Sequence, residues 1–256
     1  MFNETYYKSY TKGTLTWDQT YCKRAHFYRL MCRALLRIRP QLQDMIEIGC
    51  GLGMFSYTMA SSVPNLSIRT GDISEYAMSV TKEILSMFPS VSIQRFDAEN
   101  LPFKNETADI VVAFDVAEHL EHPERLIQHA FRVLRPNGLF LMTTPNPQSF
   151  GARIKEGKEF STGNGYLGPS MTWFGWRDDS HINIRSIDAW RKNCLEAGFV
   201  KIQDGTDALW DTPYYRGIPL ILQKLIFNGS YHILMRWFAT LSWQLGENYI
   251  GFWRKP

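Results

Sequence analysis

Met45-Ile46-Glu47-Ile48-Gly49-Cys50-Gly51-Leu52-Gly53-Met54 runs from an apolar strand through a glycine turn into a helical pattern. Glycines at such a junction let the chain turn tightly and let its backbone approach a ligand with no Cβ in the way. By itself the turn indicates only a nucleotide-like ligand. Its spacing says more. A dinucleotide fingerprint needs a third glycine where Met54 stands, whereas this chain runs Gly49, Gly51, Gly53 after an acidic residue.

Outward from this turn, short apolar runs alternate with helical patterns. Strands are expected at 45–48, 67–70, 91–95, 110–114 and 139–143, and helices at 21–39, 54–61, 75–87 and 123–134. The last helix repeats Leu126, Ile127, Ala130 and Leu134 on one face. Such alternation predicts a parallel sheet covered by helices on both faces, with ligands beyond the carboxyl ends of the strands. A further helix is expected over 186–197, with Ser186 as cap and Gly198 as stop, between an active-site loop at 144–180 and a strand at 199–203.

The turn resembles the first motif of the class I S-adenosylmethionine-dependent methyltransferases, (D/E)xGxGxG. The resemblance continues in order over roughly residues 40–203. Gly71-Asp72-Ile73-Ser74 and Asp97-Ala98-Glu99 end the second and third strands. Leu101-Pro102-Phe103 precedes Ala108-Asp109-Ile110-Val111-Val112, and Asp115-Val116-Ala117-Glu118-His119-Leu120 precedes Arg132-Val133-Leu134-Arg135-Pro136-Asn137-Gly138. Asn137 replaces the family's usual glycine, a change that a left-handed turn tolerates.

The resemblance implies a Rossmann-like, doubly wound seven-stranded sheet with an antiparallel last strand at 248–254. It divides the chain into an N-terminal flap and helix (1–40), a cofactor-binding core (41–206), a helical, aromatic insertion capping the acceptor (207–247) and the final strand (248–256). S-adenosyl-L-methionine is the implied cofactor. Its implied contacts are Glu47, Gly49, Cys50, Gly51, Gly53, Asp72, Ile73, Asp97, Ala98 and Asp115, with Asp72 on the ribose hydroxyls and Asp97 and the following amide on the adenine edge. Tyr6, Tyr7 and Tyr10 are read either as a flap over the cofactor or as packing on the sheet's helices.

A base is needed if the acceptor is a hydroxyl or a protonated amine, and histidine suits neutral pH. His119 and His181 are the candidates; for His119 a base and a group that shapes the pocket by hydrogen bonding are equally open. Glu118-His119-Leu120-Glu121-His122 has metal-ligand chemistry, but Pro123 discourages the helix that would align the histidines, and no third ligand is evident from elsewhere. No metal is expected.

Composition narrows the partners. Twenty-eight Lys+Arg against 25 Asp+Glu give a net +3, with no basic run to meet nucleic acid. No (N/D)PP(Y/F) run of nucleobase amino-methylating enzymes follows the fourth strand. The four cysteines form no CxxC pair, and no signal peptide or membrane span is visible, so a cytoplasmic protein is expected. The apolar stretch 218–245, with Met171, Trp173, Phe174 and Trp176, is read as a roof over a hydrophobic or sugar-stacking pocket. Packing, a homodimer interface and a peripheral membrane contact stand as alternatives. The expected reaction is methylation of a small or medium organic acceptor: a secondary metabolite, a sugar or lipid-linked glycan, or a phenol. Oxygen is favoured over nitrogen; an amine or amino-sugar acceptor, or a cofactor-binding protein without turnover, is the alternative. A nicotinamide-dependent oxidoreductase is disfavoured by Met54 and by the lack of a YxxxK pair.

Overall fold

The computed structural model describes residues 2–10, 16–154, 180–210, 212, 214, 215 and 217–256. The glycine turn joins β1 (Asp44–Ile48) to α3 (Met54–Ser62), after two N-terminal helices, α1 (Glu4–Tyr10) and α2 (Trp17–Ile38). There follow β2 (Ser67–Gly71), α4 (Glu75–Leu85), β3 (Val91–Ile93), β4 (Ala108–Phe114), a 3-10 turn (Ala117–His119), α5 (Pro123–Val133) and β5 (Leu134–Pro145). The chain then forms α6 (Phe150–Ile154), α7 (Ile187–Glu196), β6 (Val200–Thr206), α8 (Leu220–Gln223), a π-helical turn (Lys224–Asn228), α9 (Gly229–Leu234) and β7 (Asn248–Arg254).

The seven strands form one sheet in the order β3-β2-β1-β4-β5-β7-β6. β1 to β5 pair in parallel, and β7 runs antiparallel between β5 and β6. The order reverses between β1 and β4, which opens a ligand crevice at their carboxyl ends.

Period-two alternation divides the core between the two faces. Ile46, Ile48, Val111, Ala113, Phe140 and Met142 face the layer of α5 and α7, where Leu126, Ile127, Trp190 and Cys194 are buried. Met45, Ile110, Val112, Leu139 and Leu141 face the opposite layer, with Leu30, Met31 and Leu35 of α2 and Phe55 and Met59 of α3.

Several expected bounds shift. β3 is an edge strand paired only with β2, and its register stops at Thr70↔Ile93, short of 95. β5 is longer than 139–143 because its ladder with β7 runs from Leu139 to Pro145, while Leu134 pairs with Ala108. α2 starts at Trp17, capped by Thr16, whose hydroxyl accepts from the Gln19 amide while the Gln19 side chain accepts from the Thr16 amide. The expected loop at 144–180 contains α6; Met171, Trp173, Phe174 and Trp176 lie outside the described residues. Among the described residues, no helix is long and apolar enough to cross a membrane.

Candidate functional site

β1 delivers the chain into the turn, whose shape the glycines make possible. Gly49 has φ +68°, and a Cβ there would meet Val116 Cγ2 at 2.5 Å. Gly53, at φ +71°, caps α3 and passes 2.9 Å from Thr81 Cγ2 when given a Cβ. The turn is held to β2 because the Gly49 and Cys50 amides donate to Gly71 O at 2.9 and 3.0 Å.

Asp72 locks the other side. Its Oδ2 accepts from the Gly51 amide at 2.9 Å and from the Tyr7 hydroxyl at 3.5 Å; its Oδ1 accepts from the Ser74 amide at 2.9 Å. Glu47 sits deeper, where it accepts hydrogen bonds from the hydroxyls of Ser56 and, at 3.0 Å, Thr70. Burial disfavours its charged form more than these hydroxyls favour it, so its pKa is pushed up to about 7.

Together these groups floor a cleft of about 1140 Å³, its open mouth included. Of the ten expected cofactor contacts, Glu47, Gly49, Cys50, Gly51, Asp72, Ile73, Asp97, Ala98 and Asp115 line it. Gly53 does not; it shapes the turn from behind. Asp97 Oδ1 accepts from the Glu99 amide at 2.8 Å, which fixes the loop after β3. Asp115 ends β4 in a left-handed conformation, φ +53°, held by Thr143: its Oδ1 accepts from the Thr143 hydroxyl at 2.7 Å, and its amide donates to Thr143 O at 3.1 Å. A non-glycine residue held in that region at a cleft wall is a common mark of a functional position.

His119 lines the far end of the cleft, on the 3-10 turn after β4. Its Nδ1 lies 3.0 Å from Ser180 O. A carbonyl only accepts, so Nδ1 is the donor in this contact. His181 does not line the described cleft, yet its ring centroid is 4.8 Å from that of His119. The two meet because Asn183 ties its segment down: its amide donates to Glu118 O at 2.9 Å, and its side chain donates to Leu120 O at 2.9 Å. The same fold brings in Glu118, fully buried. One donor atom from each of Glu118, His119 and His181 lies within 4.8 Å of the others, an approach between distant segments that linear spacing could not reveal.

Other motif residues serve the scaffold. Asp109 accepts from the Gln43 and Asp44 amides and pairs with Arg39 and Arg135, which hold its carboxyl below the usual range against its own burial. Arg132 donates to Leu101 O at 3.0 Å and Phe103 O at 2.6 Å, tying the Leu-Pro-Phe segment to α5.

Residues the sequence reading missed form the outer wall. Thr20, Arg24 and Tyr28, at i, i+4 and i+8 of α2, line the cleft, as does Phe2; Tyr6 and Tyr7, which the sequence offered as a flap or as packing, line it beside them. Burial raises the Tyr28 hydroxyl's pKa. Their spacing was a readable helical face, hidden because apolar periodicity draws attention only to the core side. None of the described residues of 207–247 lines this cleft, and α1 and α2 supply side chains to its wall.

The strand order and this glycine-walled cleft define the class I methyltransferase fold. A family model described as a methyltransferase domain matches residues 23–204, and the chain belongs to that family. A probable S-adenosylmethionine-dependent methyltransferase of Mycolicibacterium smegmatis is 32% identical over 108 residues, 42% of this chain and 40% of the relative. The malonyl-(acyl-carrier protein) O-methyltransferase of Halalkalibacterium halodurans is 26% identical over 153 residues, 53% of this chain and 56% of that one. The chain thus spans about half the length of these relatives. In solved structures, PH0226 of Pyrococcus horikoshii OT3 superposes with a TM-score of 0.65 over 100% of both chains at 18% identity, a likeness of fold alone.

Proposed function

We propose that this chain methylates an oxygen of a small or medium organic acceptor, with S-adenosyl-L-methionine as donor. The observation that carries the reading is the continuity of one cleft from the Gly51–Asp72 clamp to His119. The residues suit the donor. Asp72 and Asp97 put carboxylates on the cleft, which this reading assigns to a ribose diol and an adenine edge, with Gly49, Cys50 and Gly51 beside them. Glu47, Ile73, Ala98 and Asp115 complete the surround. When bound, the donor supplies a methyl group on a positively charged sulfur that leaves as a neutral thioether.

The protein's own work is then to align the acceptor, exclude water and take one proton. On this reading His119 would take the acceptor hydroxyl's proton as that oxygen gains the methyl group the donor would supply. Ser180 O accepts from His119 Nδ1, and His181 stands against its ring as the second member of the pair. The O-methyltransferase named among the relatives supports oxygen over nitrogen. An amine acceptor, or binding without turnover, is the competing reading.

The experiment pairs calorimetry with turnover. S-adenosylhomocysteine is expected to stabilise the protein and NAD to leave it unchanged; the reverse would overturn the reading. A panel of phenol, hydroxyl and amine acceptors is then scored by release of S-adenosylhomocysteine. His119→Ala and His181→Ala should lower turnover while retaining its affinity. Undiminished rates in both exclude these residues as the base. Tight binding with no productive acceptor would favour a non-catalytic role.

A further inference from the structure

The helical run at 220–234 between β6 and β7 is apolar on both sides, a pattern that belongs in a core. One side is accounted for. Gln223 is buried and donates to Tyr215 O and Ile218 O at 2.6 and 2.7 Å, Phe227 packs on the Tyr214 ring at 4.7 Å, and Tyr231 and Leu234 rest on the cluster around α2. The other side is uncovered: Ile221, Leu225, Ile226, Ile233, Trp237 and Phe238 are 53–72% exposed. Six large apolar side chains, each more than half exposed within one short segment, are the kind of surface that marks an interaction site.

The charges carried by its own segment have one sign. Residues 212–246 contain no Asp or Glu, while Lys224 and Arg236 are exposed. Arg33 of α2 donates to Arg236 O at 3.4 Å, which joins this patch to an arginine stripe. Arg29, Arg33 and Arg37, spaced i, i+4 and i+8, share one exposed face of α2, and Asp18 is that helix's only acidic residue. In a chain whose net charge is only +3, this is a local concentration of cations.

We propose that this surface docks on an anionic lipid bilayer, with the 220–238 face entering the headgroup boundary and Arg29, Arg33, Arg37, Lys224 and Arg236 meeting lipid phosphates and carboxylates. Exposed apolar area with cations beside it is the physical signature of an interfacial element. A second copy fits less well, because a two-fold interface through this face would set the same cations against one another. This surface lies outside the cleft, and the inference is independent of the methyl-transfer reading.

The test is flotation of the full chain with vesicles of phosphatidylcholine alone or mixed with phosphatidylserine, at low and high salt. Binding is expected only to the mixed vesicles, falling at least about fivefold in high salt because each cation near the surface contributes roughly that factor. Arg29→Gln/Arg33→Gln/Arg37→Gln should reduce binding at low salt comparably, and Ile226→Ser/Trp237→Ser should abolish it. The thermal shift with S-adenosylhomocysteine should persist in both variants, whatever the acceptor. If the apolar double variant fails to fold, the wild-type lipid and salt series decides. Failure to float with either vesicle, or equal binding to both, overturns the proposal. A concentration-dependent dimer in sedimentation velocity that Ile226→Ser/Trp237→Ser dissolves, without vesicle binding, assigns the face to a second copy instead.

Discussion

Asp72→Ala tests whether the carboxylate at the end of β2 serves the ligand or only the loop. Asp72 is 8% exposed and accepts from the Gly51 and Ser74 amides at 2.9 Å each. Hydrogen bonds to a charged group contribute about 1.5–3 kcal/mol each. Removal of the side chain therefore has a scaffold cost, two amides without this acceptor, and on the proposed reading a binding cost, the lost bonds to ligand hydroxyls. At about 1.4 kcal/mol per tenfold in Kd, the loss of one or two such bonds predicts S-adenosylhomocysteine binding weakened by about tenfold at the least and about ten-thousand-fold at the most. Asp72→Asn keeps one carbonyl acceptor for the Ser74 amide but loses the charge, so its affinity should fall between the two. Isothermal calorimetry gives the affinities, and urea unfolding without ligand isolates the scaffold term. If Asp72→Ala loses stability but binds S-adenosylhomocysteine within twofold of the wild type, Asp72 is a strut and the ribose assignment is wrong.

Glu47, whose pKa is raised from 4.5 to about 7 by burial, binds its proton more tightly in the folded than in the unfolded state. Its contribution to stability is therefore full below about pH 4.5 and is lost as pH rises through about 7, a swing of about 3 kcal/mol at 1.36 kcal/mol per unit. Ligand-free Glu47→Gln should lack this component, so its stability relative to wild type should rise by that order between pH 5 and pH 8; a pH-independent difference refutes the assignment. At Gly71, a Cβ would stand 1.9 Å from Gln94 O and 2.5 Å from Phe96 Cε1, a clash with backbone that cannot move without parting β2 from β3. Gly71→Ala should cost about 3 kcal/mol or more and lower the melting temperature by about 6–12 °C; calorimetry showing less than a degree of change would show that the edge strand yields.

What the sequence disclosed, and what it withheld, follows from range. The glycine turn was legible because φ values near +70° at Gly49 and Gly53 impose residue type locally. The strands of the sheet's centre were legible because burial on both faces makes them near-continuous apolar runs, as in Ile110-Val111-Val112. β3 was drawn too long because its end is set by its partner: the ladder with β2 stops at Ile93, and the chain then turns toward Asp97. The start of α2 was readable and overlooked, since Thr16-Trp17-Asp18-Gln19 is a capping box. The pairing of His119 with His181 was not readable at all. It depends on Asn183 reaching Leu120 O across 63 positions of sequence, and tertiary contacts of that kind leave no periodic trace.

One helix concentrates what the family core does not dictate. α2 turns Leu30, Met31 and Leu35 to the sheet, Thr20, Arg24 and Tyr28 to the cleft, and Arg29, Arg33 and Arg37 to the outside. On the proposed reading, the central strands and glycine loop meet the features the donor presents in every reaction of this type, so their residue types have little freedom, and the cleft wall facing the acceptor has no such common partner. It is built from α1 and α2, which begin before the residue at which the family match starts, and from side chains such as Arg24 and Tyr28 that combine charge, a hydroxyl and apolar bulk. On the proposed reading, the choice of acceptor therefore rests with this wall. Exchanging Arg24 or Tyr28 should alter which acceptors turn over before it alters how tightly S-adenosylhomocysteine binds.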